Sequence, residues 1–291
     1  MLKNPKLISY SKELQELAKN NLYYSNAIQF KKQTGTMMGM FVTQCGTEML
    51  FFPVINNILA DGKTTNMVCL GDVLHKAGYK QYYYGGADSE LFNKKNLFYL
   101  HGTDEVYGRE ELKAANPDLK MSIWGIYDYD LFEILKKKYV EYEKKGEPFT
   151  LTAITTSTHN PDGVFDARCK NTHPDNQMIN AIECTSFLVN DFINFLKKQK
   201  HFDDTLIILL PDHRQYYVNG VMDILNEVEK DSRLLFMIAI NGKKLENKER
   251  FVYTQVPEFI IKELGIETNA VFMGEEEKED IVLNFNHKMY K

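Results

Sequence analysis

Two stretches, residues 205–210 (Thr-Leu-Ile-Ile-Leu-Leu) and 234–240 (Leu-Leu-Phe-Met-Ile-Ala-Ile), are apolar almost without interruption. A strand with one wet face alternates apolar and polar residues. A strand apolar throughout is buried on both faces, as in a parallel sheet covered by helices. Residues 149–156 read as a further strand, rich in β-branched side chains, and residues 80–84 as a short one ahead of Gly85-Gly86. Helical segments alternate with these strands, so the fold class expected is α/β, a mostly parallel central sheet sandwiched by helices.

The helices are read from apolar spacing and from their stop signals. Residues 9–20 place Leu14 and Leu17 on one face, and residues 36–45 form an apolar helix that opens after Gln33-Thr34-Gly35. Residues 67–77 stop at Gly78, a favoured C-terminal residue. Residues 127–145 form a long amphipathic helix with a basic, solvated outer face. Residues 177–200 form a second, with Ile179, Ile182, Phe187, Ile193 and Leu196 as expected core positions. Residues 256–264 close at Gly265, and residues 275–280 are an acidic segment.

The net charge of −5 offers no basic face to nucleic acid. No stretch approaches the roughly 20 apolar residues of a membrane span. The start, Met1-Leu2-Lys3-Asn4-Pro5-Lys6, lacks a signal-peptide core, so the chain reads as soluble and without an export signal. Cys45, Cys69, Cys169 and Cys184 form no Cys-x-x-Cys and read as buried free thiols. Their even number leaves one or two disulfides open in an oxidising compartment.

Leu210-Pro211-Asp212-His213 follows directly on an apolar strand. A carboxylate and an imidazole leaving a strand end together make a metal site better suited to Mn, Zn or Fe than to Ca; the alternative is an Asp capping the next turn. Ligands in α/β sheets sit beyond the carboxyl ends of the strands. Asp212-His213 follows one strand, His159 a second and Gly85-Gly86 a third, so parallel strands would bring these segments together. Trp124, the sole tryptophan, could pack on a sugar or glycerol or serve the core.

Several of these segments resemble one family in its order. Residues 34–46, Thr-Gly-Thr-Met-Met-Gly-Met-Phe-Val-Thr-Gln-Cys-Gly, resemble the nucleophile region of bacterial phosphoglycerol transferases, relatives of lipoteichoic acid synthase in the sulfatase branch of the alkaline phosphatase superfamily. Gly86-Ala87-Asp88, Lys95-Asn96, residues 101–108, Thr158-His159-Asn160-Pro161-Asp162-Gly163, residues 176–181 and Asp212-His213 continue the likeness over about residues 5–215. It implies a single sulfatase-like catalytic domain over residues 1–291. The implied reaction is metal-dependent transfer of a phosphoglycerol-type headgroup from a lipid donor to a glycan, through a threonine-linked intermediate. By position Thr36 is the nucleophile and a metal ligand with Asp212 and His213. Thr34, Thr43 and Thr47 compete for the nucleophile's role, Thr47 first, because Cys45-Gly46-Thr47-Glu48 also resembles the nucleophile motif of phosphoethanolamine transferases. His159 matches a phosphate-contacting histidine, and Lys94, His101 and Arg214 fall at substrate-binding positions, although an exposed lysine is the plainer reading of Lys94. The cofactor implied is a divalent metal, Mn foremost, with Mg or Zn as alternatives.

The likeness has gaps. The family's first strand, with its carboxylate ligand, and the membrane helices that anchor the domain in the inner membrane facing the periplasm have no counterpart here. On this reading the domain is N-terminally truncated, and membrane association would come only through the missing region. Loss of a central strand predicts low stability or self-association unless another segment fills the gap. Pro211 replaces a small residue, Arg214 puts a charge beside the ligands, and Gln255 stands where sulfatases often show Asp. Cys45-Gly46-Thr47-Glu48-Met49 is not the Cys/Ser-x-Pro-x-Arg of a true sulfatase. A phosphodiesterase or sulfatase-like hydrolase of the same fold, and a non-catalytic remnant, are the alternatives.

Overall fold

The computed structural model describes residues 9–29, 35–49, 52–62, 67–214 and 234–274. Thr34 and the acidic segment 275–280 lie outside them. In chain order the elements are α1 (Lys12–Asn20), β1 (Leu22–Ile28), α2 (Thr36–Cys45), α3 (Phe52–Ala60), α4 (Leu70–Lys76), β2 (Lys80–Gly85), α5 (Lys94–Leu100), β3 (Glu105–Tyr107), α6 (Arg109–Ala115), α7 (Asp128–Lys145), β4 (Phe149–Ile154), α8 (Gln177–Leu196), β5 (Ile207–Leu209), β6 (Leu234–Ile240), β7 (Leu245–Asn247), β8 (Phe251–Val252) and α9 (Val256–Glu263).

The α/β class holds, and the sheet is mostly but not wholly parallel. A five-stranded sheet runs β5-β6-β1-β7, with β8 also on β1, and a three-stranded one runs β3-β2-β4. Pairing is parallel for β2 with β3 and β4 and for β1 with β7 and β8. β6, expected to be parallel, is antiparallel to both β1 and β5. Its apolar run reports burial on both faces, which antiparallel pairing under helices supplies equally well. β1 is the element sequence reading missed. Its Leu-Tyr-Tyr-Ser-Asn-Ala-Ile mixes polar residues into a short strand, yet it pairs centrally in the larger sheet.

β4 and β5 are edge strands among the described residues. Both are only half-buried, whereas β2 is buried along most of its length. Val189 of α8 packs both with the group containing Leu151 of β4 and with that containing Ile207 and Leu209 of β5. One helix thus covers the edges of both sheets.

α2 is buried nearly all round, through Met37, Gly39, Met40, Phe41, Val42, Thr43 and Cys45. A helix apolar on every side belongs in a core, and each large side chain sequestered there contributes about 1.5–3 kcal/mol. Gly35 enters it at φ 107°, and Gly46 closes it in the left-handed conformation, its N–H bonded to the Val42 carbonyl. α7 carries Asp128 and Asp130 in its first turn and Lys144 and Lys145 in its last, matching the helix dipole at both ends.

Two sequence readings need correction. The cysteines are not free thiols; Cys45 pairs with Cys69 and Cys169 with Cys184. Phe187, expected in the core, is 52% exposed, because α8 buries the stripe Ile179, Ile182, Ile193 and Leu196 instead. No helix among the described residues is long and apolar enough to cross a membrane.

Candidate active site

The opening turn of α2 meets the loop after β5. A Cβ on Gly39 would stand 2.0 Å from the Asp212 carbonyl oxygen, so only glycine allows this contact. Thr36, which opens α2, lies one turn before Gly39 and shares its face. Thr36 and Asp212 are therefore brought to the same end of the helix. The competitors are placed otherwise. Thr43 is buried and its hydroxyl donates to the Gly39 and Met40 carbonyls, both at 3.1 Å. Thr47 lies past the opposite end of α2, about 15 Å away at 1.5 Å per residue, with its hydroxyl against the Met273 sulfur.

The side chains of Asp212 and His213 lie close together. Asp212 Oδ1 accepts the His213 backbone N–H at 2.9 Å, while Asp212 Oδ2 lies 3.6 Å from His213 Nε2. His213 Nδ1 donates to the Arg214 carbonyl at 2.6 Å, which fixes the tautomer with the lone pair on Nε2. The Arg214 backbone N–H is held at 3.0 Å by the side chain of Gln29, a buried residue just past the end of β1. The missed strand thus supports the Asp212-His213 loop.

The carboxyl ends of β2 and β4 reach the same region. The Asp212 charge, after burial itself, raises the pKa of the buried Tyr83 and Tyr253 hydroxyls, which places that carboxylate within electrostatic reach of both. A Cβ on Gly85 would stand 2.6 Å from the Tyr83 hydroxyl, and one on Gly86 3.0 Å from Thr156 at the end of β4. His159 follows on the β4 loop, exposed, with Nδ1 on the Asn160 carbonyl at 2.8 Å and its ring 3.8 Å from that of Trp124. This ring contact was not foreseen; nothing in local spacing links positions 124 and 159.

Lys94 departs from the exposed lysine expected. It is 4% exposed at the start of α5, and burial lowers its pKa, partly offset by Asp88 just beyond β2. His101 is set apart. It is buried, its Nδ1 lies 2.7 Å from Asp72, and it stands within 4.8 Å of the Cys45 and Cys69 sulfurs at the far end of α2 from Thr36. That cysteine–histidine group is the one metal-type cluster of three or more His, Cys, Asp or Glu among the described residues. With its sulfurs joined in a disulfide it lacks thiolate ligands.

The chain matches the sulfatase family model over residues 4–253 and belongs to that family. It is 33% identical over 245 residues to phosphoglycerol transferase I of Shigella flexneri, covering 81% of this chain and 31% of that protein. It is 33% identical over 210 residues to the Citrobacter koseri enzyme of the same name, covering 69% and 27%. The chain therefore spans about a third of the length of these relatives. Among solved structures it is similar to the lipoteichoic acid synthase LtaP from Listeria monocytogenes, with TM-score 0.74, 17% identity and coverage of 91% and 68%. It is also similar to the Streptococcus pyogenes phosphoglycerol transferase GacH in complex with sn-glycerol-1-phosphate, with TM-score 0.61, 10% identity and coverage of 96% and 77%. At these identities the structural likeness shows the fold. Sulfatase-family members generally use a divalent metal.

Proposed function

We propose that this domain transfers a phosphoglycerol-type headgroup from a lipid donor such as phosphatidylglycerol to a glycan hydroxyl, through a phosphodiester on Thr36. The observation that carries the reading is the contact between Gly39 and Asp212, which brings the threonine-bearing helix end onto the Asp-His loop. The phosphoglycerol transferase relatives point to the same chemistry.

The donors fit a divalent cation in kind. Asp212 Oδ2 and His213 Nε2 are spaced to share one ion, the His tautomer is set for it, and the Thr36 hydroxyl adds an oxygen. An O/N donor set suits Mn, with Mg or Zn as alternatives. When bound, such an ion lowers the pKa of the threonine hydroxyl and offsets charge developing on phosphorus oxygens.

The chain's own groups do the rest. Thr36 Oγ, as the alkoxide in which it is also released at the end of the cycle, attacks phosphorus at the positive end of α2, where the helix dipole favours an anionic ester. The bond from phosphorus to the lipid alcohol breaks, and His159 supplies the proton that alcohol needs. In the second half-reaction a glycan hydroxyl gives its proton to His159 and attacks the same phosphorus, releasing Thr36. Lys94 and Arg214 are the cations at hand for the phosphate oxygens. His101, beside the disulfide, has no part in these steps. The two disulfides support a site facing an oxidising compartment, as the periplasm is.

In the complete protein, Thr36→Ala abolishes transfer and the glycerophosphothreonine adduct detected by mass spectrometry. Unchanged transfer in that variant would falsify the role of Thr36. Hydrolysis to free glycerol phosphate, with no gain of transfer on adding glycan, would mark the hydrolase reading instead.

A further inference from the structure

We propose that Trp124 and Asp128 are positioning residues that together hold the His159 ring in its working orientation. This rests on the reading of His159 as the group that handles the transferred phosphate.

His159 is an exposed side chain on a loop, and such a ring turns freely unless something fixes it. Trp124 meets its face, with centroids 3.8 Å apart and planes inclined by 38°. The indole N–H of Trp124 is buried and has no hydrogen-bond partner among the described residues. A buried donor left unpaired is a cost, so this indole is placed for what its face contacts.

Asp128 fixes the loop beneath the ring. Its side chain is 1% exposed at the start of α7. Asp128 Oδ1 accepts the backbone N–H groups of Thr156 and Ser157 at 2.8 and 3.1 Å, and Oδ2 accepts the Thr185 hydroxyl of α8 at 2.8 Å. The Asp128 N–H donates to Ser157 Oγ at 3.3 Å. The Thr156 carbonyl in turn accepts the His159 N–H at 3.0 Å. A buried carboxylate is expensive unless such bonds repay it, and here two of the three run to the loop that carries His159.

Trp124 and Asp128 belong to one braced segment. Met121 and Ile126 pair across a tight turn in which Ser122 N–H donates to the Gly125 carbonyl at 2.7 Å. Thr156 Oγ1 donates to the Ile126 carbonyl at 2.9 Å, and Ile126 N–H to the Gly86 carbonyl at 2.9 Å. The ring and the base of its loop are therefore held from the same short stretch of chain.

Trp124 is the only tryptophan, so its emission reports the stack directly. The test compares Trp124→Phe, Trp124→Ala, Asp128→Asn, Asp128→Ala and His159→Ala in the complete protein, reading transfer kinetics and, where Trp124 remains, fluorescence. Expected for Trp124→Ala is a loss of kcat of about 10- to 100-fold with KM for the lipid donor little changed. Trp124→Phe restores most of it, because a ring face remains. Asp128→Ala brings Trp124 emission to that of His159→Ala, the signature of a lost stack, and Asp128→Asn, which keeps the accepting oxygen, falls between. If Asp128→Ala does not fold, Asp128→Asn and the Trp124 variants decide alone. Trp124→Ala with undiminished kcat overturns the proposal, as does an Asp128 variant that loses turnover while its emission stays that of the parent. Full turnover in His159→Ala would instead remove the underlying reading of His159.

Discussion

At the scale of single residues, Gly39 carries the sharpest constraint. Its missing side chain lets the Asp212 carbonyl rest on α2. Gly39→Ala must push that loop away, at a cost of about 1–3 kcal/mol for overpacking. The expected result is a modest drop in melting temperature and a disproportionate loss of metal affinity; equal affinity in calorimetry would show that the loop position is immaterial. The positions of Thr36, Asp212 and His213 at the ends of apolar elements were legible in the sequence, through the boundaries marked by Gly35 and Pro211, while their roles rest on the family resemblance and the proposal above. Lys94 was not, since its burial depends on what folds over α5. His101 looked like a substrate residue, and only the fold shows it bonded to Asp72 beside a disulfide.

At the scale of elements, α2 is held at both ends. Gly39 meets the Asp212 loop near its start, and the Cys45–Cys69 bridge ties its last residue to the start of α4. That bridge spans a sequence separation of 24 residues, for which chain entropy alone gives about 3 kcal/mol of stabilisation. Cys45→Ala with Cys69→Ala should therefore lower unfolding stability by about that amount in denaturant melts. A change within error would mean that packing alone fixes the helix. The boundaries of α2 were legible to the residue because an apolar run between two glycines has few other readings. β1 was not, because Ser25 and Asn26 interrupt its pattern. Nor was the direction of β6, since uniform hydrophobicity speaks of burial and not of which way a neighbour runs.

At the scale of the whole molecule, the division into two sheets has a physical consequence. The backbone edges of β4 and β5 are unpaired in sheet hydrogen bonding among the described residues, and both strands are half-buried beneath α8. Open apolar edges invite pairing with another chain. The isolated chain should therefore self-associate in a concentration-dependent way by sedimentation velocity, and a monomer with an ordinary cooperative melt would contradict that expectation.

On the proposed function, the junction of α2 with the loop after β5 is a metal-dependent phosphotransfer site. Titration calorimetry with Mn²⁺, on this chain and on its Asp212→Ala variant, tests it most directly. Saturable binding to the parent that vanishes in the variant is the result expected. Absence of binding to the parent, or binding that survives in Asp212→Ala, would contradict it.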